Sequence, residues 1–334
     1  MTRRKFLRIA GSTLAIAALP LGSRVLRAAK PRTAEFGGPT ANGDFYVTSY
    51  SSTPTVDPNS WRLRIKGLVA NPMELSLTQL RSLPELHERG TMECISNAPN
   101  GDAISTADWI GANVKPLLER AKVSPKAAYV AMRGADGYHT GAPIDEILRD
   151  DNYFAYKMNG TPLPAAHGFP VRIIIPGKYG MKQPKWITEI EFLDHEYAGY
   201  WETRGWSKSA WRKVNSGFFS PRVEGGLLDI FDRNAKVSGP TDIWGWALAG
   251  PAGVRRVEVS TDDGRSWHDA EIVENRGYNV WTVWKHHFAP VKAGDYVIRV
   301  RATDGKGHVQ PVTDPQTGSG MGGQPAMGIT VVRT

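Results

Sequence analysis

The last third of the chain alternates short β-type segments with turns, and this regular spacing is the feature that most limits the possible folds. The segments and the Asp-Asp-Gly turn among them run over residues 242–249, 255–261, 262–264, 266–273, 280–288, 296–303 and 329–332. Strands of this length with turn residues between them, and no helical pattern, are typical of an antiparallel β-sandwich of immunoglobulin type. We therefore expect an all-β, immunoglobulin-like domain over residues 218–334.

The preceding part, residues 36–217, mixes strand and helix patterns. Strand patterns cover residues 45–50, 61–69, 129–132, 152–158 and 171–175, and helical spacing covers 76–83, 114–122 and 143–148. The two kinds of segment do not alternate as regular βαβ units, so the pattern predicts an α+β domain instead of a doubly wound sheet. A chain of 334 residues with 41% hydrophobic content is long enough for two domains with separate cores.

Residues 1–30 have the pattern of an N-terminal targeting signal. Arg3 and Arg4 precede an apolar run at 9–21, and small residues follow at Ala28 and Ala29, a pattern that matches a twin-arginine signal peptide. A membrane-spanning helix needs roughly 20 apolar residues, and this run is shorter. The pattern predicts a periplasmic protein, carried there already folded around a cofactor.

Most of the net positive charge of the chain lies in that signal. The formal charge of +8 falls to +1 when the seven basic residues of the signal are discounted: Arg3, Arg4, Lys5, Arg8, Arg24, Arg27 and Lys30. A nearly neutral mature protein carries no electrostatic footprint for nucleic acid, so we exclude that class of partner.

Cys94 is the single cysteine of the chain, so it cannot form an intramolecular disulfide. The β-favouring pair Thr91-Met92 comes before it, and a run of Asn, Pro and Gly follows over residues 97–101. This pattern places the sulfur at the end of a strand, facing a loop, where folds present reactive groups. The alternative is a buried cysteine that acts as a small hydrophobe.

A second unusual segment, residues 164–186, sets a buried strand between glycine-bearing loops rich in basic residues. Arg172 opens the apolar strand, where an unpaired charge would be costly, so we expect it to meet an anion. Lys182 and Lys185 on the next loop are placed to converge on the same anion, and phosphate suits this combination of arginine and lysine. The alternative is an ion pair between Arg172 and a buried carboxylate.

Other constellations are weaker. His286 and His287 are adjacent in a strand and point to opposite faces, so they cannot chelate one ion. A Cys94/His167 nucleophilic dyad is possible, although nothing nearby supplies an orienting third group. The chain has no Cys-x-x-Cys-His haem motif and no cysteine set for an iron–sulfur cluster. Any redox centre is therefore expected to be a single-thiolate metal or an organic cofactor, with no haem.

In their order along the chain, these motifs resemble the sulfite oxidase family of molybdopterin enzymes over essentially the whole mature chain. The resemblance implies that Cys94 ligates molybdenum, and that Thr48 and Trp206 join it as catalytic residues. It implies that the molybdenum-molybdopterin cofactor is held by Tyr46, Val47, Tyr50, Asn97, His167, Arg172, Lys182, Gln183, Pro184 and Lys185. The terminal sandwich, with its 257–260 strand and Ser266-Trp267, is similar to the family's dimerisation domain, which implies a homodimer.

The resemblance also implies an activity. A soft thiolate suits a soft, redox-active metal. The family pattern implies oxygen-atom transfer to or from a small sulfur compound, in a direction that the resemblance leaves open. Electrons would be exchanged with a separate carrier such as a cytochrome. The competing class is an exported, cofactor-free binding module with an immunoglobulin-like domain.

The chain departs from the family pattern where sulfite would bind. Thr48 and Pro99 stand at two arginine positions, Trp206 stands at the tyrosine, and the third arginine falls at or near Gly320. A pocket without those cations is poorly suited to a small dianion. The segment 178–180, Lys-Tyr-Gly, also resembles a methionine-sulfoxide-reducing branch that lacks the terminal sandwich.

Overall fold

A computed structural model describes residues 25–26, 36–221, 234–315 and 317–332 of the chain. The expected signal peptide, residues 1–30, lies outside the described residues except for the two-residue strand Val25–Leu26. No helix in the described ranges combines the length and apolar character needed to cross a bilayer.

The first half of the described chain is built from two five-stranded β-sheets, a two-stranded sheet formed by its first two strands, and three short α-helices. Its strands are β1 Val25–Leu26, β2 Val47–Thr48, β3 Arg62–Gly67, β4 Met73–Ser76, β5 Glu85–Glu93, β6 Ile104–Asn113, β7 Tyr129–Gly134, β8 His139–Pro143, β9 Tyr153–Met158, β10 Thr161–Pro162, β11 Arg172–Ile174 and β12 Ile187–Leu193. Its helices are α1 Leu77–Arg81, α2 Lys115–Ala121 and α3 Ile144–Ile147. One sheet has the order β10-β9-β6-β5, with β11 also paired to β9, and the other has the order β4-β3-β12-β7-β8.

Local sequence explains these elements. In β3, Leu63 and Ile65 alternate with polar residues and are buried, as a sheet with one face on a core requires. Helix α1 begins with a capping box, in which Ser76 Oγ accepts from Gln79 N at 3.2 Å and Gln79 Oε1 accepts from Ser76 N at 2.8 Å. The buried faces of both sheets and the helices enclose one large apolar core.

Strand β5, which leads to Cys94, forms a long antiparallel hairpin with β6, in register from Glu85 opposite Ala112 to Glu93 opposite Ile104. Its other edge, which would otherwise be unpaired, is met by the second half of the chain. Thr91 N donates to Asn279 O at 2.8 Å, and Thr91 O accepts from Arg212 Nη1 at 2.6 Å. The two halves of the protein therefore meet along the strand that leads to the cysteine.

The second half consists of β-strands in two sheets. Its strands are β13 Asn215–Ser220, β14 Ala235–Val237, β15 Thr241–Leu248, β16 Val254–Ser260, β17 His268–Asp269, β18 Glu271–Glu274, β19 Thr282–Phe288, β20 Gly294–Asp304 and β21 Ala326–Val331. The sheets have the orders β13-β15-β19-β18 and β14-β21-β20-β16-β17, and residues from both form one buried cluster. We call this half the β domain; its immunoglobulin type remains a prediction.

Several sequence expectations need correction. The protein is mostly β, so the helical share of the expected α+β domain is small. The expected strand over 45–50 contains only β2, because Phe45 and Tyr46 pack into a core cluster beside it. The expected strand over 266–273 divides into β17 and β18, which belong to different sheets. The expected domain boundary at 217/218 falls inside β13, whose backbone pairs with β15.

Candidate functional site

Cys94 lies in a loop whose shape is fixed by its own hydrogen bonds. A turn from Cys94 to Asn97 is closed by Asn97 N donating to Cys94 O at 3.0 Å. Across the loop, Cys94 N donates to Ala103 O at 2.9 Å, and Ala103 N donates to Asn97 Oδ1 at 3.0 Å. Cys94 is half-buried and is a free thiol, as the expected strand-end position requires.

The residue before the cysteine, Glu93, ties this loop to the β domain. Its side chain is fully buried and its Oε1 accepts from Asn97 Nδ2 at 3.1 Å and from Asn215 Nδ2 at 2.7 Å. Burial raises the pKa of Glu93 to about 7, against the lowering effect of these amides and of Arg212. The cysteine loop is thus braced from behind by both halves of the protein.

Cys94 opens into a pocket of about 1000 Å³, measured out to the open solvent at its mouth. The pocket is lined by Phe45, Tyr46, Val47, Thr48, Ser49, Tyr50, Met92, Cys94, Ile95, Ser96, Asp136, Tyr138, Ala166, His167, Arg172, Gly180, Met181, Gln183, Pro184, Lys185, Trp201 and Trp206. Eleven of the thirteen site residues expected from the sequence are among them; Asn97 and Lys182 are not. The segments that meet here are β2, the cysteine loop, the 164–186 segment and the aromatic loop after 200.

One end of the pocket is basic. Arg172 is 4% exposed and donates to His167 O at 3.1 Å and Gln183 O at 3.4 Å, while its Nε has no partner. Lys185 donates to Ser49 Oγ at 3.1 Å and to Ala166 O at 3.0 Å. Neither cation forms an ion pair within the described ranges, so the alternative of a buried carboxylate on Arg172 is wrong for the residues seen here.

The electrostatics of this end favour a bound anion. Burial, and then the charge of Arg172, lower the pKa of Lys185 to about 7; burial lowers the pKa of Arg172 to about 10. His167 Nε2 donates to Asn42 O at 2.9 Å, and burial lowers the pKa of His167 to about 4, so the ring is neutral at pH 7. A buried arginine and a lysine whose pKa it lowers are both stabilised by an anion placed between them.

His167 shows no hydrogen bond to Cys94 in the part of the chain that the structure describes. Since its Nε2 is engaged by Asn42, the possible nucleophilic dyad gains no support. The described residues also contain no cluster of three or more His, Cys, Asp or Glu side chains suited to a metal ion. His287 instead pairs with Asp242 at 2.8 Å, as expected for two histidines on opposite faces of a strand.

Lys182 does not reach the basic end. Its side chain is 1% exposed, donates to Gly141 O at 2.7 Å and forms an ion pair with the equally buried Glu202, which also accepts from Thr140 Oγ1 at 2.5 Å. Breaking such a pair would leave an uncompensated buried charge, at about 3–5 kcal/mol. Lys182 therefore anchors the segment that carries the aromatic loop, and it is not part of the anion site as expected from the sequence.

Asn97 is also outside the pocket lining. Its amide is occupied by Glu93 and by the backbone of Ala103, so it shapes the cysteine loop and does not face the cavity. By contrast, Gln183 and Pro184 line the pocket as expected. Gln183 is held by its Nε2, which donates to Lys178 O at 2.9 Å, so its backbone carbonyl is fixed beside Arg172.

The opposite wall is aromatic and apolar. Trp201 and Trp206 meet edge to face with ring centroids 5.9 Å apart, and both pack on a cluster that includes Ile95 and Met181. The β domain supports this wall, because Ser207 N donates to Gly318 O at 2.8 Å. The ring of Tyr50, another lining residue, packs edge to face against that of Tyr200, with ring centroids 4.4 Å apart. This wall offers contact area and no cation.

The positions that depart from the family pattern fall in two places. Thr48 and Trp206 line the pocket, and Thr48 Oγ1 lies 3.9 Å from Cys94 Sγ. Pro99 and Gly320 do not line it. A side chain at Gly320 would place its Cβ 2.7 Å from Tyr179 Oη on a backbone with φ +88°, so this position cannot carry an arginine without displacing Tyr179.

Eleven lining residues were not among the site residues expected from the sequence, and Asp136, Tyr138, Trp201 and Ser96 are four of them. Asp136 and Tyr138 come from the turn between β7 and β8, which is distant in sequence from the cysteine and carries no motif. Trp201 lies in the aromatic loop that carries Trp206, and no motif marks it. Ser96, two residues after the cysteine, places its hydroxyl 3.1 Å from Cys94 Sγ, and its spacing was the one available signal.

Comparisons with known proteins agree with this geometry. The model of the oxidoreductase molybdopterin binding domain matches residues 50–201, and that of the Mo-co oxidoreductase dimerisation domain matches residues 223–322. The oxidoreductase YuiH of Bacillus subtilis is 32% identical over 150 residues, which cover 45% of this chain and 74% of YuiH. The chain belongs to the sulfite oxidase family of molybdopterin-dependent oxidoreductases.

More distant relatives extend the comparison over both halves. Human mitochondrial sulfite oxidase is 30% identical over 319 residues, which cover 82% of this chain and 57% of the human protein. The chain thus spans little more than half the length of that relative. The crystal structure of the sulfane dehydrogenase SoxCD from Paracoccus pantotrophus has the same fold, with a TM-score of 0.75 over 97% of this chain and 96% of that one, at 20% identity.

The residues present fit a molybdenum-molybdopterin cofactor. Among the described residues, the buried Nε of Arg172 has no partner and Lys185 forms no ion pair, so both suit a phosphate; the half-buried thiol of Cys94 suits a metal that prefers sulfur. Both features open into one pocket. Arg172, Lys185, Gln183 and the neutral His167 would hold the organic part, and Cys94 would ligate the metal.

Proposed function

We propose that this protein is a molybdenum-molybdopterin oxidoreductase that transfers an oxygen atom to or from a small, neutral sulfur compound such as a sulfoxide. One observation carries the proposal: Cys94 and two cations without an ion pair among the described residues, Arg172 and Lys185, open into the same pocket, which has an apolar wall at Trp201 and Trp206. Membership of the family supports the cofactor, and it speaks against a cofactor-free binding module.

The cofactor, when bound, would supply two-electron exchange of an oxygen atom. The protein's own residues bind the phosphate of the cofactor and exclude water from the pocket. Arg172 and Lys185 bind phosphate by charge and hydrogen bonds, and neutral His167 adds no further charge. Trp201, Trp206 and Met181 exclude water from the side of the pocket that faces Cys94, and they give an apolar substrate a surface to pack on.

The same proposal includes the cellular setting. The twin-arginine pattern at Arg3-Arg4 supports export to the periplasm, and it agrees with a protein that folds around its cofactor before transport. We propose a separate electron carrier, such as a cytochrome, as the redox partner.

Metal analysis tests the cofactor. Protein produced in a host that makes molybdopterin should contain about one molybdenum per chain, and Cys94→Ser should fold but lose turnover, because a hydroxyl is a poorer ligand for a soft metal. Ser51→Ala, on an exposed hydroxyl, is the matched control and should match the wild type. Metal-free wild-type protein from such a host would refute the cofactor assignment.

We also propose a two-fold homodimer formed chiefly by an immunoglobulin-like β domain. The match of residues 223–322 to a dimerisation domain supports it, and closed two-fold symmetry is the commonest arrangement of oligomers. Light scattering at micromolar concentration should give twice the mass of one mature chain. The mass of a single chain under these conditions would contradict this arrangement.

A further inference from the structure

Two hydroxyl groups face the sulfur of Cys94. Ser96 Oγ lies 3.1 Å from Cys94 Sγ, within normal hydrogen-bond distance for sulfur, and Thr48 Oγ1 lies 3.9 Å away, at the outer limit. Within the described ranges, neither hydroxyl has another hydrogen-bond partner. Both residues line the pocket beside the cysteine.

The short contact is a product of the loop geometry. The turn closed by Asn97 N and Cys94 O directs the Ser96 side chain back over the first residue of the turn. Asn97 is itself fixed by Glu93 and Ala103. Ser96 and Cys94 are therefore held on one loop that is fixed by its own hydrogen bonds.

The chemistry of the sulfur sets the direction of the hydrogen bond. A metal-ligating cysteine is a thiolate, which has no proton to donate, so the serine hydroxyl must be the donor. A hydrogen bond to a ligating sulfur withdraws electron density from it, and hydrogen bonds around sulfur ligands are a known control of metal reduction potentials.

We propose that Ser96, with a weaker contribution from Thr48, donates a hydrogen bond to the Cys94 thiolate and thereby raises the reduction potential of the metal centre. Ser96 is a positioning residue: it acts through the ligand. The inference rests on the cofactor assignment of the proposed function, but not on the identity of the substrate.

Spectroscopic redox titration of the loaded protein tests it. Ser96→Ala should keep its molybdenum, lower the midpoint potential, and move the sulfur-to-metal charge-transfer absorption to longer wavelength, because a thiolate without its hydrogen bond is a stronger electron donor. Ser96→Thr, which keeps a hydroxyl, should restore both values. Thr48→Val should shift both in the same direction by a smaller amount, and Ser51→Ala should shift neither.

Failure of this inference and failure of the cofactor assignment give different results. Unchanged potential and absorption in a molybdenum-loaded Ser96→Ala protein would overturn the inference. If that variant does not retain metal, Thr48→Val decides the matter, and the absence of any shift there would overturn the inference as well. Wild-type protein without molybdenum would overturn the cofactor assignment, a different result from an unshifted potential in loaded protein.

Discussion

Sulfite should be oxidised weakly by this protein, with a kcat/KM roughly several hundredfold or more below that of a pocket that surrounds the dianion with two or three cations. Each buried charge-assisted contact that is lost costs about 1.5–3 kcal/mol, and two or three such losses give that factor by transition-state arithmetic. A neutral sulfoxide, N-oxide or organic sulfur compound should be preferred, since it loses nothing at the apolar wall.

Among the described lining residues, no further cation is available to bind sulfite. The basic residues that line the pocket, Arg172 and Lys185, belong to the proposed phosphate end. Lys182 is engaged by Glu202, and Arg204 stacks on Tyr200, with its guanidinium carbon 3.6 Å from the ring centroid. The side of the pocket near Trp201 and Trp206 thus lacks positive charge among the described lining residues.

Steady-state assays of sulfite against a panel of sulfoxides provide the measurement. Thr48→Arg places a cation beside Cys94 and should raise kcat/KM for sulfite, whereas Thr48→Gln, a neutral control of similar reach, should not. Wild-type turnover of sulfite with a micromolar KM would show that the pocket binds the dianion without the missing arginines, and it would refute the substrate proposal.

The second large effect concerns the phosphate end. Arg172→Ala should yield folded protein with little molybdopterin, because it removes a buried, charge-assisted contact worth about 1.5–3 kcal/mol, or roughly ten- to 150-fold in affinity. Metal and pterin content after gel filtration are the readouts. Circular dichroism separates this loss from unfolding.

Two further variants sharpen this test. Arg172→Lys keeps the charge and loses the planar fork of donors, so its cofactor content should be intermediate. Arg62→Ala removes a half-exposed arginine whose nearest carboxylate, on Glu74, is 3.8 Å away, and should leave the cofactor content unchanged. Full occupancy in Arg172→Ala would show that this arginine serves only the packing around it.

The fold was predictable wherever a local pattern determines structure. The alternation in β3 and the spacing of α2 were sufficient to place these elements within two residues. Strands β6 and β12 were not predicted, because Gly, Ser, Thr, Glu and Asp interrupt their apolar pattern. Their pairing with distant strands determines their conformation. The single strand expected over 266–273 failed because no local signal shows that the chain changes sheets there.

Within the site, the unusual composition of their segments pointed to the cysteine loop and the basic segment, whereas Trp206 was expected only from the family resemblance. It misassigned Lys182, since nothing near it in sequence reveals that Glu202 folds back to pair with it. Asp136 and Tyr138 reach the pocket only through the path of the β7–β8 turn. For these residues, contacts with distant parts of the chain determine whether the side chain reaches the pocket, and residue type does not reveal those contacts.

The contact between the cysteine strand and the β domain has a consequence for dissecting this enzyme. Strand β5 is the last strand of its sheet, and its free edge at Thr91 is satisfied by Asn279 and Arg212. A fragment ending before β13 would present an unpaired edge, which recruits strands from other molecules. We therefore expect the first half not to be stable in isolation: shortened versions should self-associate through β5, the strand that leads to Cys94.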